Sequence, residues 1–154
     1  MKKFTFVLSC LLLSALSFAQ SPDFSGKWSL DASKSKLNPD FSMAPGKMAI
    51  ELNGNSMKVE KVSDFQGQSS TTVDQYTLDG KECINKGFMD SQKKSNVKWS
   101  DDKKSINVLS KIAFDGGEIS TTEVYRMEGQ NLVVDSKSTS SFGDMNETYV
   151  YVKQ

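Results

Sequence analysis

Residues 95–136 read SNVKWSDDKKSINVLSKIAFDGGEISTTEVYRMEGQNLVVDS. Apolar side chains recur at every second position, and the alternation breaks at Asp101–Lys104, at Gly116-Gly117 and at Gly129-Gln130. A period of two puts alternate residues on opposite faces of a strand, and Asp- and Gly-rich breaks are where such a chain reverses. The stretch therefore reads as three successive hairpins. Their register can be tested, because a one-residue slip would set apolar residues against polar ones. Folding at Gly116-Gly117 sets Phe114 opposite Ile119, Ile112 opposite Thr121, Ser110 opposite Glu123, Val108 opposite Tyr125 and Ile106 opposite Met127. Folding at Gly129-Gln130 sets Met127 opposite Leu132, Tyr125 opposite Val134 and Glu123 opposite Ser136. The Asp101–Lys104 turn sets Trp99 opposite Ile106, Val97 opposite Val108 and Ser95 opposite Ser110. All three turns select one inward face. The other face carries Lys98, Asn107, Lys111, Thr122, Arg126, Asp135 and Lys137 and reads as solvent.

The same alternation extends in both directions. Strands are predicted near 27–31, 47–52, 57–62, 70–78, 82–88, 93–99, 105–114, 118–127, 131–138 and 145–153, with further turns at Asn53-Gly54-Asn55, Asp79-Gly80 and Phe142-Gly143-Asp144. Asp31–Gly46, with two prolines, is the one long connection and has room for a short helix; Ser63–Ser70 reads as a polar loop. A meander this long with one wet face turns its other face on itself. Closure removes the exposed edges of an open sheet, which points to an all-β, single antiparallel up-and-down barrel of about 8–10 strands, with a sandwich as the alternative.

The first nineteen residues differ from this pattern. Lys2 and Lys3 precede an apolar run from Phe4 to Leu16, and Ser17-Phe18-Ala19 has the small-x-small form of a cleavage site. This predicts a signal peptide over 1–19, removed to leave Gln20 first, and an exported, periplasmic or secreted protein. The run is shorter than the roughly 20 residues of a spanning helix, so no membrane span remains after cleavage. It also continues past Cys10, which places that cysteine wrongly for lipidation. The barrel domain is then 20–154.

Loss of Lys2 and Lys3 leaves 17 basic residues against 19 acidic, a balance that argues against nucleic acid or an anionic membrane surface as partner. Cys83 alone remains of the two cysteines, so stability rests on packing, and a monomer is expected. Catalysis lacks its usual groups. The sequence has no His, no Gly-x-Ser-x-Gly elbow, no phosphate loop and no paired-cysteine metal motif. A lone thiol with no His to activate it reads as a small structural residue, and Asp101, Asp102 and Asp115 read as turn residues, not metal ligands. No cofactor, metal or enzymatic activity is expected.

Near the start of the barrel domain stands Asp23-Phe24-Ser25-Gly26-Lys27-Trp28-Ser29-Leu30, and the chain closes on Tyr149-Val150-Tyr151-Val152-Lys153. The first segment resembles the Gly-x-Trp opening of the lipocalin and fatty-acid-binding-protein (calycin) superfamily, and the second is similar to the last strand of its fatty-acid-binding branch. Together with Lys34-Ser35, the opening also resembles small exported bacterial lipocalin-like proteins. The resemblance implies that Trp28 packs across a closed barrel end with Lys153 over its ring. Two departures stand out. Asp31–Gly46 does not read as a helix-turn-helix lid, and Tyr149 occupies the place of an Arg in the fatty-acid-binding branch, which argues against recognition of a fatty-acid carboxylate.

The inward face then grades from apolar to polar. Trp99, Ile106, Met127, Leu132 and Tyr151 belong to the Trp28 end; Val97, Val108, Tyr125 and Val134 form the next layer. Ser95, Ser110, Glu123 and Ser136 follow, with Tyr149 brought beside Ser136, and Lys93, Thr121, Ser138 and Glu147 lie beyond. A buried carboxylate without a partner costs several kcal/mol, so Glu123 calls for water, a donor or a ligand. If Glu123 faces a cavity with Ser95, Ser110, Ser136 and Tyr149 around it, Glu123→Gln is expected to leave stability level or raise it slightly at neutral pH; the alternative is a solvated Glu123 near the open rim. The expected site is Ser95, Val108, Ser110, Glu123, Tyr125, Val134, Ser136 and Tyr149. A small hydrophobic or amphipathic ligand would lay its apolar part over Val108, Tyr125 and Val134 and its polar group near Glu123 and Tyr149. The other function open to such a chain is a filled barrel acting through its loops as an inhibitor or envelope interaction module.

Overall fold

The computed structural model describes residues 21–65 and 67–154; the signal peptide predicted over 1–19 lies outside the described residues. Ten antiparallel strands form one sheet that curls into a nearly closed barrel: β1 (Gly26–Leu30), β2 (Lys47–Asn53), β3 (Ser56–Phe65), β4 (Gln68–Thr77), β5 (Asp79–Lys86), β6 (Gln92–Trp99), β7 (Ser105–Phe114), β8 (Gly117–Glu128), β9 (Asn131–Ser140) and β10 (Gly143–Lys153). The order is β4-β3-β2-β1-β10-β9-β8-β7-β6-β5, so the first and last strands pair in the β1–β10 ladder, where Trp28 faces Lys153. The long β1–β2 connection holds no helix; the one helical turn among the described residues is a 3-10 turn at Phe88–Asp90. Ser63–Ser70 is not a loop. Phe65 pairs with Gln68, and β3 and β4 run to a tight turn at Gly67, whose φ of +80° suits a residue without a side chain.

Two registers differ from expectation. Phe114 pairs with Gly117 and Val108 with Glu123, and Tyr149 pairs with Val134; each ladder is displaced by two residues from the sequence-based pairing. In the first case the chain reverses over Asp115-Gly116, with Gly116 at φ +101°, the two-residue turn that matches strand twist. In the second it reverses over Ser141-Phe142, because Ser140 pairs with Gly143. A two-residue slip keeps each side chain on its face and moves it one layer along the barrel. The Asp101–Lys104 and Gly129-Gln130 hairpins have the expected pairings.

The closed end is built on Phe24, Trp28, Ile106, Leu132 and Tyr151, each at most 1% exposed. The Trp28 indole N–H donates to the Phe24 carbonyl at 3.0 Å, Phe24 stacks on Trp99, and the Lys153 ammonium sits 5.5 Å from the Trp28 ring centroid, a cation–π contact. Gly26 makes room for this lysine. Its φ is +133°, and a Cβ added there would stand 2.9 Å from Lys153 Cε. Gly26→Ala is therefore expected to cost about 1–3 kcal/mol from backbone strain and displacement of the lysine, read as a lowered urea midpoint; a midpoint equal to wild type would show that the clasp carries no stability.

β4 and β5 are the free edges of the sheet and share no ladder. Side chains join them instead. Asn85 receives the Gln75 N–H at 2.8 Å and donates to the Gln75 carbonyl at 3.0 Å, copying a backbone amide. The Thr77 N–H points to Cys83 Sγ at 3.2 Å, so the half-buried thiol is part of this seam. Lys93 of β6 reaches Asp74 of β4 at 2.5 Å from the inside.

Candidate functional site

The register places four bands across the strands β6 to β10. Trp99, Ile106, Tyr125, Val134 and Tyr149 form one; Val97, Val108, Glu123, Ser136 and Glu147 the next; Ser95, Ser110, Thr121, Ser138 and Met145 follow; Lys93, Ile112 and Ile119 are outermost. Above the apolar base lies a cavity of ≈ 210 Å³, lined among others by Met43, Lys61, Lys93, Ser110, Glu123, Ser136 and Tyr149. Of the expected site residues, Ser110, Glu123, Ser136 and Tyr149 line it. The other four, Ser95, Val108, Tyr125 and Val134, are inward but at most 1% exposed and lie outside that lining. The slip of two residues explains part of this, since it moves Tyr125 down beside Ile106.

Glu123 is held by the protein itself. Lys61 Nζ donates to Oε1 at 2.8 Å and to Oε2 at 3.0 Å, and the Tyr125 hydroxyl donates to Oε2 at 3.2 Å. Both side chains of the ion pair are only 13–14% exposed. Burial, the largest influence, works against the Lys61 charge, but Glu123, Tyr76 and Asp74 around it together outweigh that penalty and raise the ammonium pKa above its usual value. Expecting Glu123→Gln to be neutral is thus incorrect: the partner that Glu123 required is a lysine from the far side of the barrel. Parity along β3 carried the signal. Met57 and Val59 face inward, so Lys61 and Ser63 do as well.

A second pair lies beside the first. Lys93 meets Asp74, which is 1% exposed, and Asp74 sits two residues from Tyr76 on the same face of β4. Asp74 Oδ1 and the Tyr76 hydroxyl are buried without a hydrogen-bond partner, and burial, the largest influence, pushes the Tyr76 hydroxyl pKa up. Thr121 and Ser138 pair their hydroxyls at 2.6 Å in the lining, and Ser110 of the lining pairs with the buried Ser95 behind it at 2.8 Å. The arrangement offers charged donors, carboxylate acceptors and hydroxyls beside the apolar side chains of Met43, Ile112, Ile119 and Met145. No group of three His, Cys, Asp or Glu side chains among the described residues is placed to hold a metal.

Glu147 fastens the long connection to the barrel mouth. Its carboxylate accepts the Asn38 N–H at 2.8 Å, the Met43 N–H at 3.4 Å and the Tyr149 hydroxyl at 2.8 Å, which lets Met43 and Pro45 form one wall of the cavity. Burial raises the Glu147 pKa, but these donors outweigh it and the net shift is downward. A depressed folded pKa stabilises above the unfolded value and ceases to do so as pH falls through the folded one. Amide exchange of Asn38 and Met43 is therefore expected to stay slow at neutral pH and accelerate below the usual carboxylate range; exchange rates corrected for intrinsic pH dependence that remain flat to pH 3 would show that Glu147 is no latch.

No family model matches the sequence, and no curated protein is similar to it. Solved structures are similar in shape. Zebrafish ileal bile acid-binding protein complexed with cholic acid superposes with a TM-score of 0.60 over 85% of this chain and 98% of that chain, at 15% identity. The shared shape is a ten-stranded antiparallel barrel. Human cRBP IV gives a TM-score of 0.55 over 86% of this chain and 99% of that chain, at 16% identity. An abundant heat soluble (SAHS) protein from Ramazzottius varieornatus gives 0.57 over 85% and 95%, at 13% identity. At these identities the likeness is one of fold: an antiparallel barrel whose first strand carries Gly26-x-Trp28 and whose last carries Lys153.

Proposed function

We propose that this chain is an exported, non-catalytic carrier that binds one small amphipathic molecule in the polar half of its barrel. The observation that carries this reading is the ≈ 210 Å³ cavity, where Lys61, Glu123, Lys93 and the hydroxyls of Ser110, Thr121 and Ser138 lie among Met43, Ile112, Ile119 and Met145. An enclosed space of about 150 Å³ takes a benzene, and drug-sized ligands occupy roughly 300–1,000 Å³. The ligand in this conformation is therefore small, of roughly eight non-hydrogen atoms by that scaling. A molecule the size of cholic acid requires the segment 38–45 to lift. The bile acid-binding protein complexed with cholic acid, which shares this fold, supports a binding role. The signal-like residues 1–19 support export to the periplasm or beyond, and the 17 basic against 19 acidic residues left without Lys2 and Lys3 support a barrel that binds neither nucleic acid nor anionic lipid.

The test is native mass spectrometry of the protein purified from its own host, followed by thermal-shift titration with amines, alcohols and carboxylates of that size. A stoichiometric adduct released on activation, displaced by one of these classes, is the expected result. Bare polypeptide mass together with no thermal shift from any class would assign the barrel to a filled interaction or inhibitor module. Peptide mapping of the secreted material is expected to begin at Gln20; an intact Met1 or a lipidated Cys10 would overturn the export assignment.

A further inference from the structure

The two ends of the barrel differ in surface chemistry. Each of the five connections at the open end holds a Phe within two residues of an Asp: Asp40-Phe41, Asp64-Phe65, Phe88-Met89-Asp90, Phe114-Asp115 and Phe142-Gly143-Asp144. The turns at the closed end, 53–56, 78–81, 100–104 and 128–130, contain no Phe and together hold four acidic and three basic residues. At the open end Phe88 is 74% exposed and Phe142 85%, with Phe142 stacked on Phe114, and Met43 of the β1–β2 connection is 55% exposed. Large aromatic rings left in water on several neighbouring turns are unfavourable for a free monomer and mark a contact surface.

Charge selects the occupant. The segments 38–46, 64–67, 87–91, 114–118 and 140–144 contain six acidic residues and no Lys or Arg. Asp90 and Glu118 pair with Lys86 and Lys111 of the adjoining strands; Asp40, Asp64, Asp115 and Asp144 form no ion pair among the described residues. An anionic lipid surface is repelled by this ring. A second copy docked rim to rim would oppose like charges across a two-fold axis. We propose that the open rim docks a basic, amphipathic segment of a partner protein, whose apolar side chains cover Phe88 and Phe142 while its Lys or Arg side chains meet the unpaired aspartates.

A synthetic amphipathic Lys/Leu peptide serves as probe, titrated calorimetrically at about 150 mM salt, where the Debye length is near 8 Å. The Phe88→Ser/Phe142→Ser pair and the Asp115→Asn/Asp144→Asn pair are each expected to weaken saturable binding by about tenfold or more. Asp101→Asn/Asp102→Asn at the closed end and Phe88→Tyr/Phe142→Tyr are expected to bind as wild type, and a Glu/Leu peptide not at all. All substituted positions are exposed, and unchanged thermal melting verifies the fold. Equal binding by the rim and closed-end variants would overturn the proposal, as would loss with the aspartates alone. So would tighter association with phosphatidylglycerol vesicles than with the peptide, or a dimer at micromolar concentration that the Phe88→Ser/Phe142→Ser change dissolves.

Discussion

Trp28→Ala is expected to lower the free energy of unfolding by about 3–5 kcal/mol, the range for deleting a large buried aromatic. The indole is 1% exposed and spans the base of the barrel, and its removal breaks more than packing. The Phe24 carbonyl loses its donor and the Lys153 ammonium loses the ring face it covers. The hole also lies under the β1–β10 ladder, where Trp28 is paired with Lys153, so the closure of the sheet weakens with it. Urea denaturation of the two proteins checks this, and a difference below about 1 kcal/mol would mean that the cavity collapses at little cost.

Glu123→Gln is expected to cost about 3 kcal/mol, at the lower end of the range for removing one member of a buried ion pair because both partners keep slight exposure. The amide preserves shape but leaves the Lys61 ammonium inside the barrel without its counter-charge. Lys61→Met/Glu123→Leu removes both charges and is expected to recover most of that loss, since a well-packed apolar pair often replaces a buried ion pair without penalty. The pH dependence follows from Lys61. Its folded pKa is raised, so the pair stabilises fully below the unfolded lysine value of about 10.5 and is lost as pH rises through the folded one. In wild type Lys61 should therefore stay charged from pH 6 to pH 8, whereas in Glu123→Gln burial pulls the unpaired ammonium's pKa down, so the gap between the two proteins should hold constant or narrow as pH rises. A gap that widens from pH 6 to pH 8 would show that the lysine is not held by Glu123.

The strands were legible because the inward residues alternate without interruption over most of the chain, and a period of two leaves no helical reading for Ile106–Ile112 or Met48–Leu52. Turn length was less legible. Asp115-Gly116-Gly117 offers two places for a reversal, and both keep Ile112 and Phe114 on the same face, so side-chain polarity cannot separate registers that differ by two. The interior charges were half legible. Lys93 and Glu147 follow from the β6 and β10 alternation, whereas Lys61 and Asp74 sit where β3 and β4 turn from apolar to polar and resemble solvent-facing residues. Only the curvature of the sheet, which brings Lys61 across to Glu123 at 2.8 Å, shows that they face each other. The Glu147 contacts to Asn38 and Met43 join residues more than a hundred positions apart and have no local signature.

The side-chain seam between β4 and β5 has a consequence for where this molecule comes apart. Every ladder but one joins strands consecutive in sequence, and the exception, β1–β10, fastens the first strand to the last. The sheet is thus a strip whose loose ends belong to the middle of the polypeptide. Most small domains fray at their termini; here thermal fluctuation has its easiest path at residues 68–86, where Asn85 and Cys83 stand in for backbone bonds. The order of breathing runs from the centre of the chain outward, and the strands next to the two ends are the last to let go.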